Sequence, residues 1–433
     1  MASSQSTPPP AQPLSGFTVV EMTIAVQGPA AGLYLADMGA QVIKVEPPLG
    51  DPSRYGRGRN NSLPEGTIGP QYVAVNRGKR SVCMDLQTDL GQQAMHGLLA
   101  TADVFLTNYR ASALALLGLD YDALHDKYPN LVYAIVNGFG PKGEDADKAM
   151  LDGAAVARGG LLAATGAPDS APHVPGAIVG DTSGAMQLAL GVVTALLARE
   201  RGAPGQRVQT SALGTQLWLA QWEITHVSMT RADLTRHGSH HPNIKGPYGA
   251  YRTSDDGAIL IAQTMTQDNW DAFCAFADVP DLAIDPRLQT PGQRLGEGLS
   301  EADSSEIQAR LAWAFAQKTA MQWDEFLRTQ PEIIWERARS WSQVLEDPQN
   351  VINGYITEVN VPQVGRVRTV GNLVGLSETP GSEKGDPPEL GEANHEVLQQ
   401  AGLSPEQIQA LTTHAEGERA AAFAALLAAA EEN

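Results

Sequence analysis

Phe17-Thr-Val-Val-Glu21, Pro29-Ala-Ala-Gly-Leu-Tyr-Leu-Ala-Asp-Met38 and Gln41-Val-Ile-Lys-Val-Glu46 are the pieces whose reading decides the fold. The first and last are short, rich in β-branched residues, and read as strands. The middle piece reads as a helix, with Pro29 suited to its first turn and Gly39 placed to stop it. Pro47-Pro48 ends the second strand, because proline cannot donate to a ladder. The alternation continues downstream. Ser81 to Leu86 reads as a strand, Leu90 to Ala100 as a helix and Asp103 to Thr107 as a strand. A helix near Tyr121 to Lys127 leads into the strand Leu131 to Val136. Strands joined through helices pair in parallel, so the expected class is α/β.

Gly184 to Glu200 reads as a long apolar helix closed by Arg201-Gly-Ala-Pro-Gly205, and Gln206 to Ser211 returns as a strand. From about Arg231 to Pro331 the pattern changes to a polar loop, a strand at Ala258 to Ala262 and helices with charged faces, which indicates a second domain. Strand-like patterning resumes after Asn353, and Ala415 to Asn433 reads as an Ala/Glu-rich helix or frayed tail. A chain of 433 residues also exceeds what one hydrophobic core usually serves.

The net charge of -19 argues against nucleic-acid and membrane-surface partners, since both present negative charge. It also means that an anionic ligand must find local cations or backbone N–H groups. The two cysteines, Cys83 and Cys274, lie in apolar settings and read as buried thiols. His240 and His241 lack the i, i+4 spacing of a zinc pair, so no metal site is expected. Met1 to Pro13 has no charged or apolar signal region and reads as a disordered tail. No uninterrupted apolar stretch of about 18 residues suggests a membrane span, and a cytoplasmic protein is expected.

Candidate sites are weak one at a time. Gln27-Gly-Pro-Ala-Ala-Gly32 sets backbone N–H groups at a helix start, where an anion is favoured, but many helix starts bind nothing. Gly138-Phe-Gly-Pro-Lys-Gly143 is neither a dinucleotide fingerprint nor a P-loop. Asp169 follows Pro168 and reads as a turn aspartate; Asp181 reads as a helix cap. Asp147 and Asp152 have no pattern of their own, and no Gly-x-Ser-x-Gly elbow exists.

The order of several stretches carries more. They are Leu35-Ala-Asp-Met-Gly-Ala-Gln-Val-Ile-Lys-Val-Glu-Pro-Pro48, Asn76-Arg-Gly-Lys-Arg-Ser81 and Ala102-Asp-Val-Phe-Leu-Thr-Asn-Tyr-Arg110. Asn137-Gly-Phe-Gly140, Thr165-Gly-Ala-Pro-Asp-Ser-Ala-Pro172, His241-Pro-Asn-Ile-Lys-Gly-Pro-Tyr-Gly-Ala-Tyr-Arg-Thr253 and Leu345-Glu-Asp-Pro-Gln349 follow. Together, from about Leu14 to Leu411, they resemble the class III CoA-transferases, the CaiB/BaiF family. The resemblance implies a Rossmann-like large domain with a smaller α/β domain, the active site where they meet, and two chains interlocked as a homodimer. Beyond the tail at 1–13, it places the large domain at 14–225 and 340–433, and the small domain at 226–339. It makes Asp169 the nucleophile, with Ser170 and Ala171 where the family has Gly-Pro. It implies CoA contacts from Val26, Gln27, Met84, Asp85, Asn108, Tyr109, Arg110, Asn137, Gly138, Phe139 and Gly140. Acyl-CoA and a free carboxylic acid are the implied substrates, with no permanently bound cofactor.

By the same resemblance Asp169 attacks an acyl-CoA, giving a mixed anhydride and then an aspartyl-CoA thioester. Backbone N–H groups near Gly138 to Gly140 or at Gln27-Gly28 are the expected oxyanion donors. Family positions that hold CoA phosphates with Arg or Lys read Pro47, Gln87 and Leu116 here. The expected substitutes are Lys44, Arg80, Arg110 or the Arg54 to Arg59 loop. Two alternatives remain open. An α-methylacyl-CoA racemase needs a His/Asp pair; Asp181 matches its aspartate, but the histidine position reads Leu151-Asp152. The other is a non-catalytic acyl-CoA-binding member of the family.

Overall fold

The computed structural model describes residues 12–264 and 266–431. The expected tail at 1–13 therefore lies outside the described residues, save for Gln12 and Pro13. The chain divides into two compact units: residues 1–156, 177–218 and 345–433 form the first, and residues 157–176 and 219–344 the second.

Unit 1 is built on six strands: β1 (Thr18–Met22), β2 (Gln41–Glu46), β3 (Arg80–Cys83), β4 (Val104–Thr107), β5 (Val132–Asn137) and β6 (Arg207–Ser211). All pair in parallel, in the order β3-β2-β1-β4-β5-β6. The chain winds outward from β1 to β3, then restarts beside β1 at β4. Residues alternate between the two faces, as the pleat requires. Val19, Val42, Val104, Leu106, Val132, Ala134 and Val136 face α1 (Gln27–Asp37) and a long helix at Val179–Glu200. Val20, Ile43, Val45, Phe105, Tyr133 and Ile135 belong to a second core, completed by residues of the helices Asp89–Leu99, Asn394–Gln400 and Pro405–Glu431. Burial on both faces explains why the strands read as near-continuous apolar runs.

Most sequence-derived elements recur within one or two residues. The helix Val179–Glu200 starts five residues before its expected first residue, because Val179, Gly180 and Asp181 form its first turn. It is long and apolar enough to span a membrane, yet Ala185, Leu188, Val192, Ala195 and Leu196 pack in the sheet core. The apolar periodicity also left unread the short helices Pro70–Asn76 and Ala111–Leu116. A separate antiparallel hairpin joins β10 (Ile356–Val361) to β11 (Gly365–Val370).

Unit 2 holds an antiparallel sheet of β7 (Gly249–Arg252), β8 (Ala258–Thr264) and β9 (Ile333–Arg337). Its core is aromatic: Trp270, Phe273, Phe315 and Trp323 are fully buried. The indole N–H groups of Trp270 and Trp323 donate to Leu282 O and Phe315 O, each at 3.1 Å, which makes burial of those polar tips tolerable. The division differs from the expected 226–339 at one important place. Residues 157–176, with Asp169, group with unit 2. Gly166 forms a bridge with Gly238, and the Arg236 guanidinium donates to Ala167 O and Pro168 O at 3.2 Å each.

Candidate active site

In an open parallel sheet, ligands bind beyond the carboxyl ends of the strands where the winding reverses. That reversal lies between β1 and β4. A cavity of about 1140 Å³ opens there and runs along β5 towards β6. Six of the eleven residues expected to contact CoA line it: Gln27, Asn108, Tyr109, Arg110, Asn137 and Gly138. Val26, Met84, Asp85, Phe139 and Gly140 are not among its lining residues.

The lining residues have distinct duties. The Asn108 side chain accepts from Ile24 N at 3.0 Å and donates to Ile24 O at 2.8 Å, so it ties the loop after β1 to the loop after β4. Ala25, next in that loop, holds φ of 65°, a left-handed conformation that costs a side-chain-bearing residue energy. Gln27 is buried, and its Nε2 has no hydrogen-bond partner among the described residues. A buried amide donor on a cavity wall is a site waiting for an acceptor. Asn137 instead turns its Oδ1 to Gly140 N at 2.8 Å. The Gly140 N–H is thereby occupied, which removes it from the expected oxyanion donors. Gln27 and Gly28 open α1, where N–H groups lack intrahelical acceptors.

The expected cationic substitutes fare unequally. Lys44 is fully buried, 3.3 Å from Glu21 Oε1 and 3.1 Å from Asp51 Oδ2. Arg54 forks onto Glu46 at 2.8 and 2.7 Å and also donates to Pro388 O. Both are structural ion pairs of the core and cannot reach a ligand. Arg80 pairs with Glu396 at 2.6 Å. Arg110 does line the cavity. Arg207 lines it too, its guanidinium 5.0 Å from the Tyr121 ring, a residue that the sequence reading missed. Alternation in Arg207, Gln209 and Ser211 on one strand was the available signal.

Asp181 also lines the cavity, and burial, with Asp152 nearby, pushes its carboxyl up to about 6. Asp152 Oδ1 accepts from Gly180 N at 2.5 Å and Asp181 N at 3.1 Å, capping the long helix. The position where a racemase carries histidine is therefore spent on a helix cap, and no histidine lines the cavity.

Asp169 lies in unit 2, exposed at the tip of a turn. The turn is closed by Ser170 N to Ala167 O at 3.2 Å and by His173 N to Thr165 O at 2.9 Å. Gly166 holds φ of 118°, and a Cβ there would meet His173 at 3.0 Å, so only glycine suits. The Asp169 carboxylate has no hydrogen-bond or ion-pair partner among the described residues. Such a turn fixes the backbone and leaves the carboxylate free.

The sequence pattern of CoA-transferase family III matches residues 14–394. The chain belongs to that family. Among its relatives is the cinnamoyl-CoA:phenyllactate CoA-transferase of Clostridium sporogenes, 31% identical over 409 residues, covering 92% of this chain and 95% of that protein. The succinyl-CoA–D-citramalate CoA-transferase of Chloroflexus aurantiacus is 32% identical, covering 90% and 94%. A crystal structure of a CAIB/BAIF family protein from Brucella suis superposes with a TM-score of 0.78 at 26% identity, covering 90% of this chain and all of that one. This CoA-transferase is thus an enzyme of the class whose substrates are CoA thioesters and carboxylic acids.

Proposed function

We propose that this family III CoA-transferase moves CoA between carboxylic acids through covalent intermediates on Asp169. The Asp169 carboxylate attacks the thioester carbonyl of the donor; the C–S bond breaks, and CoA leaves as thiolate. The product is a mixed anhydride. The thiolate then attacks the aspartyl carbonyl, releasing the donor acid with one oxygen taken from Asp169. The acceptor carboxylate attacks the aspartyl-CoA thioester, and the returning thiolate takes the acceptor's acyl group. Asp169 is restored with one oxygen from the acceptor. No net proton or electron is exchanged, and each step swaps one activated acyl bond for another.

The CoA moiety, in this reading, enters the cavity at the β1/β4 reversal in the Rossmann-like manner. The single observation that carries it is the meeting there of Gln27, Asn108, Tyr109, Arg110, Asn137 and Gly138, with a buried, unpartnered donor on Gln27. N–H groups at the start of α1 are the proposed oxyanion donors. We also propose an interlocked homodimer. Met186, Leu190, Val193 and Leu197 form an exposed apolar stripe on the helix Val179–Glu200, with exposed Leu217 and Trp218 on a neighbouring helix of unit 1. Apolar surface of that extent favours a second copy.

Incubation with cinnamoyl-CoA or succinyl-CoA, followed by hydroxylamine, tests the reading. A hydroxamate mapped to Asp169, and absent from Asp169→Ala, is expected. Acyl exchange with no adduct on Asp169 would remove the covalent step. Deuterium uptake at the α-carbon without CoA exchange would favour the racemase reading.

A further inference from the structure

The helix Pro405–Glu431 lies entirely beyond the family match, which ends at residue 394. It runs past the carboxyl ends of β2 and β3. Asn394 accepts from Cys83 N at 2.8 Å, and its amide donates to Cys83 O and Thr412 Oγ1 at 3.1 Å each. His414 Nε2 sits 3.1 Å from Asp85 Oδ2. Two turns on, the Phe423 ring meets Tyr55 edge-on, centroids 5.6 Å apart. Ile408, Leu411 and Ala415 of this helix are buried. Arg419 follows Ala415 and precedes Phe423 by four residues each, so all three lie along one side of the helix. Arg419 is half-buried, on the same side of the helix as the residue that meets Tyr55.

The charge environment fits that placement. Burial pushes the Tyr55 phenol up and the Cys83 thiol up to about 11, while Arg419 pulls both back. Arg419 has no ion-pair partner among the described residues. The nearby carboxylates are otherwise engaged or turned out: Glu46 holds Arg54, Asp85 meets His414, and Glu416 is exposed. In the loop after β2, Arg54 is held by Glu46, Arg57 donates to Leu63 O at 3.0 and 3.1 Å, and Arg59 is exposed. Pro47 and Gln87 are neutral, and Lys44 is locked in the core. A chain of net charge -19 must nonetheless hold the phosphates of CoA.

We propose that Arg419 binds a phosphate of CoA, so that the helix beyond the family match supplies a cation at the ends of β2 and β3, where Pro47 and Gln87 are neutral. The proposal rests on the CoA-transfer reading above. Arginine suits the task, since its planar fork takes two phosphate oxygens at once.

Calorimetry on the full chain tests it, with CoA, dephospho-CoA and S-acyl pantetheine as probes. Arg419→Gln weakens CoA binding on the order of tenfold, as expected for one charge-assisted contact, and Arg419→Lys recovers part of the loss. S-acyl pantetheine, which has no phosphate, loses nothing. Equal binding of dephospho-CoA by both chains assigns the contact to the 3′-phosphate; weaker binding by the variant assigns it to the diphosphate. CoA binding by Arg419→Gln within about twofold of the unaltered chain overturns the proposal. So does an equal loss for CoA and the pantetheine probe, which would mean that Arg419 acts through the fold. An unaltered chain that binds no CoA removes the parent reading and this proposal with it.

Discussion

Replacing Asp181 by asparagine makes the protein more stable at alkaline pH and leaves it nearly unchanged at acidic pH. Asp181 is 8% exposed, in the first turn of the helix Val179–Glu200. Burial, aided by Asp152, raises its carboxyl from the ordinary 3.8 to about 6. A raised folded value means that the folded state resists ionisation. The stabilising contribution of the neutral carboxyl is whole below pH ~4 and fades as pH rises through about 6. By linkage the displacement corresponds to roughly 2–3 kcal/mol. The positive helix terminus already tempers the carboxylate's cost, so the gain expected for Asp181→Asn at pH 8 is roughly 2 kcal/mol, and near zero at pH 4. Urea unfolding at the two pH values measures the difference directly. A gain of equal size at both pH values, or a loss at pH 8, would refute the reasoning. Asp152→Asn provides a control: it lowers the Asp181 titration midpoint while weakening the cap on Gly180 N and Asp181 N.

Two further perturbations probe other parts of the account. Glu21→Gln costs about 3–5 kcal/mol, because Glu21 bridges the fully buried ammonium groups of Lys44 and Lys79 at 3.3 and 2.8 Å; denaturant unfolding gives the value. Arg236→Ala frees the Asp169 turn from its two carbonyl contacts, so kcat falls about tenfold while the unfolding midpoint barely moves; unchanged kcat would count against a positioned turn.

The parallel sheet was legible because its strands are apolar on both faces and alternate with helical segments. The family was legible from ordered motifs, none of which is specific alone. The placement of 157–176 was not, since a glycine bridge and a side-chain clamp on carbonyl oxygens leave no periodic trace. The roles of charged residues were least legible. Lys44 and Arg54 look alike with Arg110 in a sequence, and only the fold shows that two sit in core ion pairs while the third lines a cavity. Asn108 lines that cavity too, and only the fold shows that its amide also ties down the Ile24 backbone. The Gly140 N–H, expected as an oxyanion donor, is held by Asn137 for the same local reason.

The central claim is that Asp169 carries the acyl and CoA groups covalently. Atom balance makes it directly testable. By that claim each turnover returns Asp169 with one oxygen from the acceptor acid, so turnover with an acceptor labelled by heavy oxygen in its carboxylate must label the peptide that contains Asp169. Mass spectrometry of the digested protein is the measurement. The account predicts a heavier Asp169 peptide, with label confined to that side chain and dependent on the donor thioester. Full CoA transfer with an unlabelled Asp169 peptide would contradict it.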